Sequence, residues 1–212
     1  MQTRARTRPQ GAARLRLLID AAADMFLEQG YESVSLDELI NRVGGSRRNI
    51  YAHFGGKQGL FIEVVRKLCA ELSEPIEQLN LSGGDMFAAL QLFGHRTLQI
   101  VLEPRALALH RLMIAEGHRF PELSQVIWSA GHDKAIQILA ASMERRRDEL
   151  RPDIEPLVLA ATFVEGLVTG LQLQALIGGR RQPSAEAEID RQVTSTVATF
   201  LTGALRESQP YA

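Results

Sequence analysis

The chain has 212 residues, 45% of them hydrophobic and 23% charged, with a formal net charge of −1. That length supports one large or two small domains with a substantial buried core, and the near-neutral total excludes a uniformly basic polyanion binder. Cys69 is the single cysteine, which excludes an intramolecular disulfide and a metal site built on cysteines; its surroundings, VVRKLCAEL, suit a buried, inert thiol.

Charge is unevenly spread. Residues 1–67 carry 11 Lys/Arg against 7 Asp/Glu, a balance of +4, and the remainder carries 13 against 18, a balance of −5. A basic head on an acidic body is the pattern of a nucleic-acid module joined to a second function. The start, MQTRARTRPQGAARLR, is basic but lacks the apolar stretch of a secretory signal. No apolar run reads as approaching the roughly 20 residues of a membrane span. A cytoplasmic protein with no membrane partner is expected.

Apolar residues recur at three-to-four spacing almost throughout, so the fold class is all-α. From about residue 11, GAARLRLLIDAAADMFLEQG places Leu15, Leu18, Ile19, Ala22, Met25 and Phe26 on one face, and Gly30 ends the helix. SVSLDELINRV opens on Ser35 with Glu38 three residues later, a capping-box pattern. After Gly44-Gly45, Ser46 precedes RRNIYAHF, where Ile50 and Phe54 form a buried face and Arg47, Arg48, Asn49, Tyr51 and His53 are free to point outward. Gly55-Gly56 stops that helix, and a longer one runs from Lys57 to a kink or end at Pro75. The body continues in helices to about nine in total, with GGRRQPS (178–184) a loop before the last and polar tails at both ends.

Three initial helices with Gly44-Gly45 between the second and third fit a helix-turn-helix, whose third helix enters the DNA major groove. Arginine pairs bidentately with guanine and asparagine with adenine, which makes Arg47, Arg48 and Asn49 the base-reading candidates. Tyr51, His53 and Lys57 suit phosphate contacts, as do Ser35 and Ser46 at helix N-termini. Arg4, Arg6, Arg8, Arg14 and Arg16 either reach phosphates or a minor groove, or belong to a solubilising tail.

Residues 17–65, LLIDAAADMFLEQGYESVSLDELINRVGGSRRNIYAHFGGKQGLFIEVV, resemble the DNA-binding domain of TetR-family transcriptional regulators. The matching marks are Ala21-Ala22, Phe26, Gly30-Tyr31, Ser35, Leu39, Gly44, Ser46, Tyr51, His53-Phe54, Lys57 and Leu60-Phe61. The resemblance implies a homodimer, a three-helix reading head and an effector-binding helical body. It also implies phosphate roles for Ser35, Tyr51, His53 and Lys57 and base reading from Arg47 to Asn49. Two positions depart from the family pattern. Gly45 stands where an apolar turn residue is usual, which removes a small buried contact, and Ile40 stands where alanine is favoured, which alters the angle between the two helices.

In the body, RLMIAEGHRFPEL (111–123) resembles a segment of regulators related to drug-efflux repressors, which implies a pocket for a small apolar or cationic molecule. Leu92, Phe93, Ile100, Leu109, Met113, Ile127, Trp128 and Phe163 are the candidate lining, although the same spacing also reads as plain core. His95, His110, His118 and His132 fall here with Glu103, Glu116 and Asp133, but without an i, i+4 His pair or an HExxH motif. A Gly-x-Ser-x-Gly elbow, a P-loop and a dinucleotide fingerprint are also missing, so no catalytic residue, metal or cofactor is assigned. The last two helices carry Val158, Ala161, Val164, Val168, Leu171 and Ala175, then Ile189, Val193, Val197, Phe200 and Ala204. Paired across a two-fold axis they would form a four-helix interface, with Val164, Val168, Leu171, Val193, Val197 and Phe200 as its candidate residues.

The expected organisation is a disordered basic tail at 1–10, a helix-turn-helix DNA-binding domain at 11–70 and a larger helical effector-binding and dimerisation domain at 71–208. The expected function is a non-enzymatic transcriptional regulator, a repressor released by a small-molecule effector, acting on a palindromic double-stranded DNA operator. Two other classes stay open on the residues alone: a helical lipid or drug carrier with an incidental basic head, and a metal-dependent helical enzyme using the body histidines.

Overall fold

The computed structural model describes residues 8–178 and 186–205. Among them lie α1 (Arg8–Ser33), α2 (Leu36–Val43), α3 (Arg47–Phe54), α4 (Lys57–Glu77), α5 (Met86–Val101), α6 (Pro104–Glu116), α7 (Pro121–Ile127), α8 (Lys134–Glu144), α9 (Pro156–Leu176) and α10 (Glu186–Ala204). A π-helical turn, Trp128–Asp133, makes α7 and α8 continuous, so the described residues form nine helical rods. The all-α expectation holds. Extended pairing is limited, among the described residues, to an isolated bridge between Leu150 and Leu205.

Two compact units emerge: Met1–Cys69 with Ala108–Val126, and Ala70–Leu107 with Ile127–Ala212. In the first, α1 buries Leu18, Ala22, Ala23, Met25 and Phe26, α2 buries Leu39, α3 buries Ile50, and α4 buries Leu60, Phe61, Val64 and Val65. Phe54 is half-buried rather than enclosed. Gly30 interrupts α1 with φ 79° and ψ 169°, a backbone that glycine adopts without steric penalty. Tyr31, just beyond the break, enters a ring cluster, 4.9 Å from Phe61 and 4.8 Å from Phe120, with Phe26 5.0 Å from Phe61. Each such aromatic pair adds about 0.5–1.5 kcal/mol beyond its buried area. Phe120 in this cluster gives the physical reason why Ala108–Val126, read from sequence as body, belongs to the first unit.

The corner between α3 and α4 leaves no room for a side chain at Gly59. A Cβ added to Gly59 would lie 1.7 Å from the Phe54 carbonyl oxygen, so only hydrogen fits there.

In the second unit, α5, α8, α9 and α10 enclose Phe93, Leu98, Leu139, Met143, Phe163, Leu167, Val193 and Val197. Gly94 lets α5 approach α10: a Cβ there would meet a Val193 methyl at 3.0 Å. Arg146 is buried and donates to the Leu81, Gly83 and Gly84 carbonyls and to Ser142 Oγ, tying the α4–α5 loop to the end of α8. Such a cation is retained only with its donors satisfied.

Three sequence expectations change. Helix α1 begins at Arg8, inside the stretch read as a tail, while Arg4 and Arg6 lie outside the described residues, as do positions 179–184 of the connector and 206–212 of the C-terminal tail. Of the two readings of Pro75, the end is excluded, since α4 passes through it to Glu77. Pro156–Leu176 is, by length and composition, apolar enough to cross a membrane, contrary to the sequence reading. Its inner face supplies Leu159, Ala160, Phe163, Val164 and Leu167 to the core, which accounts for the apolar run.

Gly59→Ala is expected to destabilise the protein by about 2 kcal/mol or more, because the added methyl collides with backbone rather than with a mobile side chain. Gly83→Ala, where a Cβ meets nothing within 4 Å, is expected to stay within about 0.5 kcal/mol of the parent. Urea unfolding midpoints of the two variants check the contrast.

Candidate nucleic-acid interface

Local capping builds the helix-turn-helix. Ser35 Oγ accepts the Asp37 N–H at 3.2 Å and starts α2; Ser46 Oγ accepts the Asn49 N–H at 3.2 Å and starts α3. Gly44 and Gly55 close the two helices with N–H bonds to the Ile40 and Tyr51 carbonyls. Each Oγ accepts in its cap and keeps its own O–H free to donate, so an anion at either helix end can meet that hydroxyl and the remaining N–H groups together. Gly45 is exposed and a Cβ there would meet nothing within 4 Å, so the turn position has no buried contact to lose.

With Ile50 buried, α3 turns Arg47, Arg48, Asn49, Tyr51 and His53 outward. Tyr51 is 57% exposed, and its ring edge lies over Gly56, where a Cβ would meet Cε1 at 3.3 Å. Arg14 of α1 reaches the turn itself: a Cβ on Gly44 would stand 2.8 Å from its terminal nitrogen. Among the N-terminal arginines, Arg14 therefore shares the helix-turn-helix surface.

Two candidates are less free than the sequence suggests. Arg47 is forked on Asp37, its Nε donating to one carboxylate oxygen at 2.6 Å and its Nη2 to the other. The hydrogen bond from Arg47 holds the Asp37 carboxyl below the usual carboxylate range. Lys57 is half-buried: Nζ donates to the Glu32 carbonyl at 3.0 Å and lies 4.6 Å above the Tyr31 ring. Burial pushes its ammonium pKa down, against the opposing field of Glu116. Lys57 thus clamps the start of α4 to the end of α1, a role that spacing alone does not reveal.

The body candidates separate. Phe93, Ile100 and Phe163 belong to one apolar cluster, with the Phe93 and Phe163 rings 6.4 Å apart. Leu109 and Met113 are buried but fall in the first unit, Ile127 is half-buried, and Leu92 and Trp128 are exposed. Trp128 stacks on His132 at 4.2 Å. Sequence reasoning missed Thr97. It is buried, its Oγ1 has no hydrogen-bond partner, and it stands one turn from both Phe93 and Ile100 on α5. A lone hydroxyl on that apolar face was the available signal.

The dimer candidates also divide. Val164, Leu171, Val193 and Val197 are buried in the protomer's own core, and Val168 and Phe200 are half-buried against it, with Phe200 5.2 Å from Phe163. The stripe that α9 leaves outside is Val158, Thr162, Gly166, Gly170, Leu173 and Ile177. For Val164, Leu171, Val193 and Val197 the periodic face is the inward one. His95 Nε2 pairs with Asp190 at 2.7 Å, and among the described residues no group of three or more His, Cys, Asp or Glu is placed to hold a metal ion.

A capped helix-turn-helix with polar side chains on its outer helix, followed by a helical unit with its own core, is the architecture of helix-turn-helix regulators. Residues 18–64 match the family described as bacterial regulatory proteins, tetR family, and residues 88–203 match the AefR-like transcriptional repressor C-terminal domain. The chain belongs to the TetR family. It is 25% identical over 190 residues to the A-factor receptor protein of Streptomyces griseus, covering 86% of this chain and 63% of that protein. It is 33% identical over 64 residues to the transcriptional repressor AcnR of Corynebacterium glutamicum, 30% of this chain and 34% of that one. A TetR-family regulator structure from Mesorhizobium loti superposes with a TM-score of 0.83 at 25% identity, covering 94% of this chain and all of the other. The flavonoid-responsive regulator FrrA shares the fold at a TM-score of 0.77 and 24% identity, over 93% of this chain and all of the other.

Thr97→Val is expected to stabilise the protein by about 1 kcal/mol, since it removes a buried unpaired hydroxyl at nearly constant shape; calorimetry reads the shift. Burial pushes the Cys69 thiol up to about 11. At pH 8 the folded protein is therefore expected to resist a disulfide reagent that labels it promptly in denaturant.

Proposed function

We propose that this protein is a transcriptional repressor that binds a palindromic DNA operator as a homodimer in the cytoplasm and leaves it when a small apolar molecule binds the second unit. The observation that carries the reading is the outer face of α3, where Arg47, Arg48 and Asn49 stand together at the helix N-terminus that a helix-turn-helix inserts into the major groove. Tyr51, His53 and the N–H groups at the Ser35 and Ser46 helix starts hold the flanking phosphates. Lys57, bound to Glu32, contributes its charge to the surrounding field.

Dimerisation in this reading uses the outer stripe of α9 with the outer side of α10, where Ala187, Thr194, Ala198 and Thr202 are exposed. Gly166 and Gly170 leave open space on that stripe, room for a partner helix at close range. The ligand seat is the Phe93, Ile100 and Phe163 cluster with Thr97 as its polar anchor; in support, one relative is named a receptor and one structural neighbour is described as flavonoid-responsive. Release requires only that ligand bind one conformation of the dimer better than the other.

The test is selection of bound sequences from a random duplex pool by the full-length protein. Two inverted half-sites are expected, and Arg48→Ala or Asn49→Ala is expected to cost about 1–3 kcal/mol and relax one base pair per half-site. Leu173→Asp and Ile177→Asp are expected to give monomers without specific binding, read by light scattering and titration. A protein that selects nothing and shows only salt-sensitive affinity would be a carrier rather than a regulator.

A further inference from the structure

An arginine guanidinium has two edges that can engage a pair of acceptors: Nε with one terminal nitrogen, or the two terminal nitrogens together. In Arg47 the first edge is taken by Asp37, through Nε at 2.6 Å and through Nη2. The second edge remains, on a side chain that is 63% exposed. That edge suits a guanine, whose O6 and N7 accept side by side in the major groove. Asp37 lies in the first turn of α2 and Arg47 is the first residue of α3, so the pair spans both helices of the helix-turn-helix.

Fold stability does not explain this pair, because an exposed ion pair contributes little to it. Its effect falls on Arg47 itself. A free arginine loses much rotamer freedom on binding, and a forked one has lost it beforehand. The carboxylate also leaves Arg47 a single forked edge, so its remaining bidentate contact is offered from a fixed direction. We infer that Asp37 is a specificity-determining positioning residue, which holds Arg47 in the pose that reads one guanine in each half-site without itself touching DNA. This rests on the DNA-binding reading above and adds to it a residue outside the recognition helix.

The experiment titrates the full-length protein and its variants against the duplex that the parent selects from a random pool, and against versions with each base pair changed. Arg47→Ala is expected to lose about 5- to 150-fold of discrimination at one G·C pair per half-site. Asp37→Asn, nearly identical in shape, is expected to lose about 3-fold or more at the same pair. Its affinity for random-sequence duplex should hold or rise, because a negative charge has left the surface; that retained affinity also reports a folded head. Asp37→Glu should recover part of the discrimination, and Asp37→Asn added to Arg47→Ala should change it no further. Parental discrimination in Asp37→Asn overturns the inference while leaving base reading by Arg47 intact. A further loss in the Arg47→Ala background overturns it too, since Asp37 would then act without Arg47. Full discrimination in Arg47→Ala removes the base-reading role and the inference together.

Discussion

An eight-residue helix does not hold itself together in water, because the cost of nucleation is spread over too few hydrogen bonds. Helix α3 is of that length, and every other property of the reading head depends on how it is held. One fully buried side chain, Ile50, sets its rotation; Ser46 and Gly55 fix its two ends; Gly59 lets the first turn of α4 close against the Phe54 carbonyl. Once the rotation is set, the identity of the outward residues follows, and with it the chemistry offered to DNA.

The same unit shows how polar groups are divided between fold and function. Tyr31 and Phe61 meet Phe120 in the ring cluster, and Arg119 pairs with Glu32 and lies over the Tyr31 ring. Lys57 adds a bond to the Glu32 carbonyl. These cations secure the end of α1, where Gly30 has broken the helix and left backbone carbonyls in need of donors. Arg48, Asn49 and His53, by contrast, stay exposed on α3. A count of basic residues does not separate the two sets; the position of the carbonyls and rings does.

In the second unit the core is continuous across α5, α8, α9 and α10, and the ring contacts from Phe93 through Phe163 to Phe200 run inside it. Ser142 and Arg146 are buried there with partners, whereas the Thr97 hydroxyl has none, and a buried hydroxyl without a partner is costly enough to call for a reason. A ligand acceptor is the reason offered by the repressor reading. Helix α9 is apolar on two sides, which explains both its resemblance by composition to a membrane span and its capacity to pack inward while presenting Leu173 and Ile177 outward.

Much of this protein was legible in its sequence. Helical periodicity, the Ser35 and Ser46 caps, the breaks at Gly30 and Gly55 and the outward set on α3 are local features, determined by spacing and backbone preference within a few residues. Contacts between residues distant in sequence were not legible. The Asp37–Arg47 fork, the Lys57 bond to Glu32, the membership of Phe120 in the first unit and the inward facing of Val164 and Val193 each depend on which helices pack together. A helix with apolar residues on two sides, such as α9, leaves its own periodicity ambiguous, and only packing decides which side becomes core. A charged side chain at a given spacing is likewise free or engaged according to the partner that tertiary structure brings to it.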